Sequence, residues 1–319
     1  MYIYTQHCKY VIFRRSKMSK LWKSMAIAVS LVLMGSVAAC GPADSKAADP
    51  DVARSYDVSQ VKKDDAIAAM LPEDVVKSGE LTVGVNVSYA PAEFFAADGK
   101  TPVGYEVDFA KALAKVFGLK AKIMHAPFDA IIPAIGSKYN VGISGFTVNA
   151  ERMKSVDFVT YANAGLSFEI RKGNPTHVDT SNLCGKKVSL QTGTVGEPLM
   201  EEAKKQCAAK KDKPLEILSF EEQTDATAAL VSGRADVMYA DTPVAGYAAI
   251  KNPGKLEILE KSNDSEPMGA AVKKGDEKML KAVKAGIDKL MQSGVYKDIL
   301  KKWGVEDVAI DQAVVNPKL

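Results

Sequence analysis

The stretch Val141–Phe158 reads VGISGFTVNAERMKSVDF and gathers groups that can do chemistry. Thr147 carries a hydroxyl and Arg152 a guanidinium, on either side of Asn149. The apolar run Val141–Ser144 predicts the end of a buried strand. Asn149 is a good helix cap, and Glu151 falls in the first turn that would follow. Thr147 and Arg152 then sit at a strand-to-helix junction, beside backbone N–H groups that have no helical partner. A hydroxyl, a guanidinium and free amides together make a pocket for a carboxylate. Taken alone, the same residues also describe a solvated helix start whose Arg pairs with a nearby Glu. Two more polar points follow strands later in the chain: Thr194 in TGTVG, and Asp241 before Thr242-Pro243. Each is also an ordinary turn or helix-start signal.

Other chemistry finds little support. Of the three histidines, His7 lies near the N-terminus, and His125 and His177 are isolated. There is no GxSxG elbow and no metal-ligand cluster, and TGTVG lacks the Gly-Lys-Ser/Thr ending of a phosphate loop. No catalytic residue, metal or cofactor is expected.

The elements that must position these residues begin after a leader. Lys17, Lys20 and Lys23 precede an uncharged apolar run, Met25 to Val37, followed by Ala38, Ala39 and Cys40. The run is too short and wrongly flanked for a stable membrane span and reads as a signal peptide over residues 1–39. Met18 is a workable start. The ending VAAC-G resembles a bacterial lipobox, which implies cleavage before Cys40 and lipidation of its thiol and amine. The alternative is an ordinary signal peptide with an incidental cysteine. Residues 40–78, rich in Ala, Asp, Lys and Ser, read as a linker from the membrane, with a short helix within Asp64–Lys77. The chain of 319 residues is 47% hydrophobic and 25% charged, ordinary globular composition with room for two domains. Its formal charge of +3 belongs to the leader, because residues 1–40 hold six basic and no acidic side chains; the remainder carries −3. No basic stripe remains for nucleic acid. Beyond Cys8 and Cys40, one cysteine pair is left, Cys184 and Cys207. In an exported chain a disulfide between them would close a loop of about 24 residues and stabilise by roughly 3 kcal/mol. Two free thiols are the alternative; a metal site lacks nearby His ligands.

Leu81–Val87 alternates and is β-branched, a strand. Phe109, Leu113, Val116 and Phe117 make one helical face, with Glu106 and Asp108 in the first turn and Gly118 at the end. Strand, helix and strand continue through Ala121–Met124, Asp129–Ser137 and Val141–Ser144. A second series starts near residue 186: strands at Lys187–Gln191, Leu215–Phe220, Ala235–Ala240 and Leu256–Glu260, with helices at Glu197–Lys210 and Glu221–Ser232. A strand at Gly269–Lys273 and two amphipathic helices end near Gly304, and residues 306–319 read as a loose tail. The alternation predicts an α/β fold with largely parallel sheets.

Three segments, GYEVDFAKAL at 104–113, GFTVNAER at 145–152 and YKDILKKWG at 296–304, resemble the extracellular solute-binding proteins of amino-acid ABC importers (bacterial family 3). The similarity spans about residues 80–305. It implies an α/β, two-lobed, type II periplasmic-binding-protein-like fold. Each lobe has a mixed, mainly parallel sheet flanked by helices, and two hinge strands join them. Lobe 1 is expected at 80–167 and 266–305, lobe 2 at 168–265. The resemblance implies that Arg152 pairs with a ligand α-carboxylate, Thr147 bonds the same group or the ammonium, and the Gly145 carbonyl accepts from the ammonium. From lobe 2, Thr194 and the Val195 amide would close on the carboxylate, and Asp241 would hold the ammonium. Tyr89 and Phe128 match aromatic positions that flank the ligand. Asn86 stands where several relatives carry an acid, and Gln191 at a position that can face the ligand side chain. Together these point to a polar, uncharged amino acid such as glutamine, with an acidic amino acid or cystine as alternatives. The implied partners are a free amino acid and ABC permease subunits, no nucleic acid, for a monomer anchored by Cys40 on the outer or periplasmic face of the membrane. A dehydratase-like enzyme on the same fold, or a sensory surface lipoprotein without transport, are the competing functions.

Overall fold

The computed structural model describes residues 49–261 and 264–319. The expected signal peptide, Cys40, Cys8, His7 and the first part of the linker lie outside these residues. No described helix is long and apolar enough to cross a membrane.

The expected linker does not hang free from residue 49 onward. Helices α1 (Pro50–Arg54), α2 (Asp65–Ala68) and α3 (Glu73–Ser78) precede the first strand. Ile67, Leu71 and Val75 join the core, because their apolar surface is more stable out of water. Asp49 accepts the Ala97 N–H at 2.6 Å, and the Tyr56 N–H donates to Asp108 at 2.7 Å. Asp51 reaches Lys251, 3.1 Å away.

Strand β1 (Glu80–Val85) leads into a small antiparallel sheet of β2 (Ser88–Tyr89), β3 (Glu93–Phe95) and β4 (Pro102–Val103). Helix α4 (Tyr105–Phe117) buries its expected apolar face. It also buries Glu106 and Asp108, which the first-turn position alone would leave in water. β5 (Lys120–His125), α5 (Phe128–Ala134) and β6 (Val141–Gly142) follow, with β5 and β6 parallel to β1 on either side. A long strand β7 (Val156–Ala164) runs, through Gly165, into β8 (Leu166–Arg171) and carries the chain into the second sheet. That sheet adds β9 (Lys187–Gln191), α6 (Gly196–Lys210), β10 (Glu216–Phe220), α7 (Gln223–Val231), β11 (Val237–Asp241), α8 (Thr242–Lys251) and β12 (Leu256–Lys261). β13 (Glu266–Lys273) returns to the first sheet, antiparallel to β6 and β7, and α9 (Glu277–Gln292) and α10 (Val295–Trp303) complete it.

The strand orders are β5-β1-β6-β13-β7 and β10-β9-β11-β8-β12. In each sheet the βαβ strands are parallel and the crossing strands antiparallel, so both sheets are mixed. This is the two-lobed, type II periplasmic-binding architecture. The carboxyl ends of β1, β6, β9 and β11 lead toward a common cleft, the place where α/β sheets hold ligands. Cys184 and Cys207 form a disulfide that ties the approach to β9 onto α6.

The segment after Gly304 is not a loose tail. Val308 and Ala313 are buried, and Thr160 exchanges two hydrogen bonds with Val314: its N–H to the carbonyl at 2.9 Å, and the Val314 N–H to its hydroxyl at 2.8 Å. The Asn316 N–H donates to the Phe158 carbonyl at 3.0 Å. The segment covers the outer edge of β7, which would otherwise present unpaired backbone groups.

Candidate ligand-binding cleft

Arg152 sits where the chain leaves lobe 1's sheet and turns back into it. The expected helix is a single 3₁₀ turn, Arg152–Lys154, because β7 begins at Val156. Asn149 still caps it: its Oδ1 accepts the Arg152 N–H at 2.8 Å. The guanidinium donates from Nη1 to the Thr147 carbonyl at 2.7 Å and from Nη2 to the Gly193 carbonyl of lobe 2 at 3.1 Å. It lies over the rings of Phe128 and Phe146, 5.3 and 5.6 Å from their centroids, and the two rings stack on each other. Among the described residues no carboxylate lies within salt-bridge distance of it. Burial lowers its pKa to about 10, opposed by the negative charge of Asp241, so it stays cationic at neutral pH.

Asp241 ends β11 in lobe 2 and stands at the N-terminus of α8. Its Oδ2 accepts from the Tyr89 hydroxyl of lobe 1 at 2.7 Å. Burial raises its pKa to about 6, opposed by the Tyr89 hydrogen bond and by the Arg152 charge. The cation of one lobe and the anion of the other therefore face one pocket. The cleft is closed down to a free volume of about 10 Å³. A ligand needs the walls to part.

Gly145 has φ +58°, and a Cβ there would sit 3.4 Å from the Tyr89 ring and 3.9 Å from Asp241 Oδ2. Its N–H donates to Glu106 Oε2 at 2.9 Å, and the Tyr161 hydroxyl donates to Glu106 Oε1 at 2.6 Å. Beside it Ser144 donates to Glu93 Oε1 at 2.6 Å and accepts the Asn86 N–H at 3.0 Å. Burial raises the pKa of both carboxyls, and the Glu106 charge pushes Glu93 well above the usual range. This buried acid pair fixes the backbone that carries Gly145 and Thr147. The Glu106 of the GYEVD segment is thus a support for the cleft.

The loop after β9 closes on lobe 1. Gly193, with φ +77°, lies so near α5 that a Cβ would be 2.9 Å from Asp129 Cβ. Thr194 and Val195 line the pocket ahead of α6, although the Thr194 hydroxyl donates to the Gln191 carbonyl at 2.8 Å. Tyr89, Phe128, Gly145 and Thr147 line it from lobe 1.

Asn86 and Gln191 lie outside that lining. Gln191 Nε2 donates to Asn86 Oδ1 at 3.1 Å and to the Glu221 carbonyl at 3.0 Å, while Asn86 Nδ2 donates to the Ala126 carbonyl at 3.1 Å. The two buried amides bond each other across the lobes at facing strand ends, while Gln191 Oε1 has no partner among the described residues. Five lining residues went unread as site residues in the sequence: Leu166, Gly196, Gln223, Tyr239 and Ala240. Tyr239 was findable, since it stands two residues before Asp241 on one strand and shares its face. Gln223, at the start of α7 just after β10, was findable from the strand-end rule. Among the described residues no three or more His, Cys, Asp or Glu side chains are grouped to hold a metal ion.

Residues 81–306 match the bacterial extracellular solute-binding proteins, family 3. The chain is 34% identical to the arginine-binding protein ArgT of Corynebacterium glutamicum, covering 78% of this chain and 82% of that protein. It is 26% identical to the ABC transporter glutamine-binding protein GlnH of Bacillus subtilis, covering 92% of this chain and all of the relative. Among solved structures, a mutant of the T. maritima protein ArgBP superposes with a TM-score of 0.67 at 33% identity, covering 73% of this chain and 98% of the other. On the matched span, the two mixed sheets and the cleft between them, the chain belongs to the bacterial extracellular solute-binding proteins of family 3.

Proposed function

We propose that the cleft holds one free L-amino acid by its α-carboxylate and α-ammonium groups and presents it to the permease of an ABC importer. The observation that carries this is the pairing of charges. Among the described residues Arg152 of lobe 1 has no carboxylate within salt-bridge distance, and Asp241 of lobe 2 lines the same pocket. In this reading Arg152 takes the carboxylate with its planar fork, supported by Thr147. Thr194 and the Val195 N–H close on it from the start of α6. Asp241 and the Gly145 carbonyl take the ammonium. Tyr89 and Phe128 flank the ligand, and Asn86 and Gln191 set the floor behind them. Binding that joins both lobes favours the closed form, the hinge closure open to such a fold. The names of the relatives, which speak of arginine and glutamine binding, favour an amino acid as the ligand class.

The ligand is polar and uncharged, such as glutamine. Arg152 and Asp241 are the pocket's charged lining residues and are engaged by the α-groups, so a charged side chain would meet no partner. Residues 1–39 act as the export signal and Cys40 carries the lipid, so the protein works as an anchored monomer outside the cell membrane. Lobe 1 comprises 80–167 and 266–305, and lobe 2 comprises 168–265.

A thermal-shift screen of the twenty amino acids plus cystine tests the reading. A true ligand at 100 times its Kd stabilises by about 2.7 kcal/mol, and glutamine should give the largest rise. A flat response to every amino acid would move the protein to another ligand class.

A further inference from the structure

Gln223 opens α7 at the lobe 2 side of the cleft and shares the pocket with Arg152 and Asp241. It is 2% exposed. Its backbone N–H donates across the cleft to Ser88 Oγ of lobe 1 at 2.9 Å, which fixes where the side chain starts. Its side-chain Nε2 has the Met238 thioether at 3.2 Å, a weak acceptor. Its Oε1 has no hydrogen-bond partner among the described residues. Turned over, the carboxamide would leave its NH2 unmet in the same place. One strong polar atom on the wall of the pocket is unsatisfied either way, and buried polar groups are almost always paired.

Two other polar side chains of the wall are engaged. The Tyr89 hydroxyl donates to Asp241 and the Thr194 hydroxyl to the Gln191 carbonyl. Gln191 also has a free Oε1, but its side chain lies outside the pocket lining, bonded to Asn86. We propose that Gln223 selects the ligand's side chain, and that it selects a carboxamide, whose N–H donates to Gln223 Oε1. This rests on the amino-acid reading above and assigns it a discriminating residue. A carboxylate side chain cannot donate to that oxygen. A guanidinium or ammonium could, but it would bring a charge into a pocket whose single lining acid is already taken by the ligand's ammonium. A carboxamide brings donors and an acceptor without charge, matching Gln223 in either orientation.

The test compares L-glutamine with L-methionine, which is similar in length and cannot donate from its side chain. Calorimetric titrations use the wild type, Gln223→Leu and Gln223→Met, the second because unbranched Met preserves the length of the side chain if Leu disturbs folding. Glutamine binding should weaken about tenfold or more in both variants. Methionine binding should stay within about twofold or tighten, so the preference itself collapses. An unchanged glutamine-to-methionine ratio in a variant that melts like the wild type would overturn the assignment of Gln223 alone. Wild-type preference for arginine, unaltered in the variants, would do the same. Failure of the wild type to bind any amino acid would overturn both this and the reading beneath it.

Discussion

The two walls of the cleft are held in opposite ways. On the lobe 1 wall Arg152 and Gly145 are braced from behind. Arg152 is fixed by the Thr147 carbonyl and two stacked rings, and Gly145 hangs from Glu106, itself bonded to Tyr161. On the lobe 2 wall polar groups are under-satisfied. Gln223 Oε1 has no partner among the described residues, and Asp241 Oδ2 bonds a hydroxyl that belongs to the other lobe. In the same lobe's sheet, both oxygens of buried Glu169 on β8 also lack partners among the described residues. The contrast assigns the walls different tasks. A preorganised cation can receive a carboxylate without rearranging. A wall whose hydrogen bonds are completed only from across the cleft ties its own satisfaction to closure.

The largest expected effect breaks the braced wall at its charge. Arg152→Ala should weaken amino-acid binding by about 2–5 kcal/mol, roughly 30-fold to several thousand-fold. Near-wild-type affinity by calorimetry would remove Arg152 from the site. Next comes the brace itself. Glu106→Ala leaves the Gly145 N–H and the Tyr161 hydroxyl buried without an acceptor, so denaturant unfolding should show a loss of about 2–4 kcal/mol. An unchanged midpoint would mean that lobe 1 is not held from behind in this way.

Two smaller effects probe lobe 2 by pH. Asp241 has its pKa raised to about 6 by burial. It must be ionised to hold an ammonium, so affinity should fall as pH drops below about 6, by at most tenfold per unit. Asp241→Asn should bind weakly at every pH and lose that slope. Glu169 is pushed up to about 8 by burial alone, from 4.5. A carboxyl whose folded pKa is raised contributes stability that is complete below the unfolded value and lost as pH rises through the folded one. Wild-type melting temperature should therefore decline between about pH 4.5 and 8 more steeply than that of Glu169→Gln. Parallel curves would show that Glu169 is not buried as a neutral acid.

Much of this contrast was legible from residue types. The apolar stripe of α4 and the alternation of β1 gave their elements directly, and the fold class followed from the strand–helix order. Thr147 and Arg152 stood out as a hydroxyl and a guanidinium at a strand-to-helix junction, whereas Asp241 was singled out by the family resemblance. What stayed hidden depends on contacts far apart in the chain. Glu106 and Asp108 look like solvated first-turn acids, and only the approach of Gly145, Tyr161, Tyr56 and Trp303 makes them core groups. The polar composition of residues 49–78 suggested a tether, yet every third or fourth position from Ile67 to Val75 is apolar and packs inward. The final segment likewise looked unstructured because its two buried apolar residues, Val308 and Ala313, are widely spaced. Asn86 and Gln191 were expected to face the ligand side chain; their bond to each other joins β1 to β9 across the lobes, which no local pattern encodes.

The most direct test of the two-walled clamp is to cap the ligand's own charges. The amino acid giving the largest thermal shift would be titrated by calorimetry beside its α-amide, which lacks the carboxylate, and its N-acetyl derivative, which lacks the ammonium. Each cap should weaken binding by about 100-fold or more, since it leaves Arg152 or Asp241 buried without its partner. Binding of either derivative as tightly as the free amino acid would contradict the clamp.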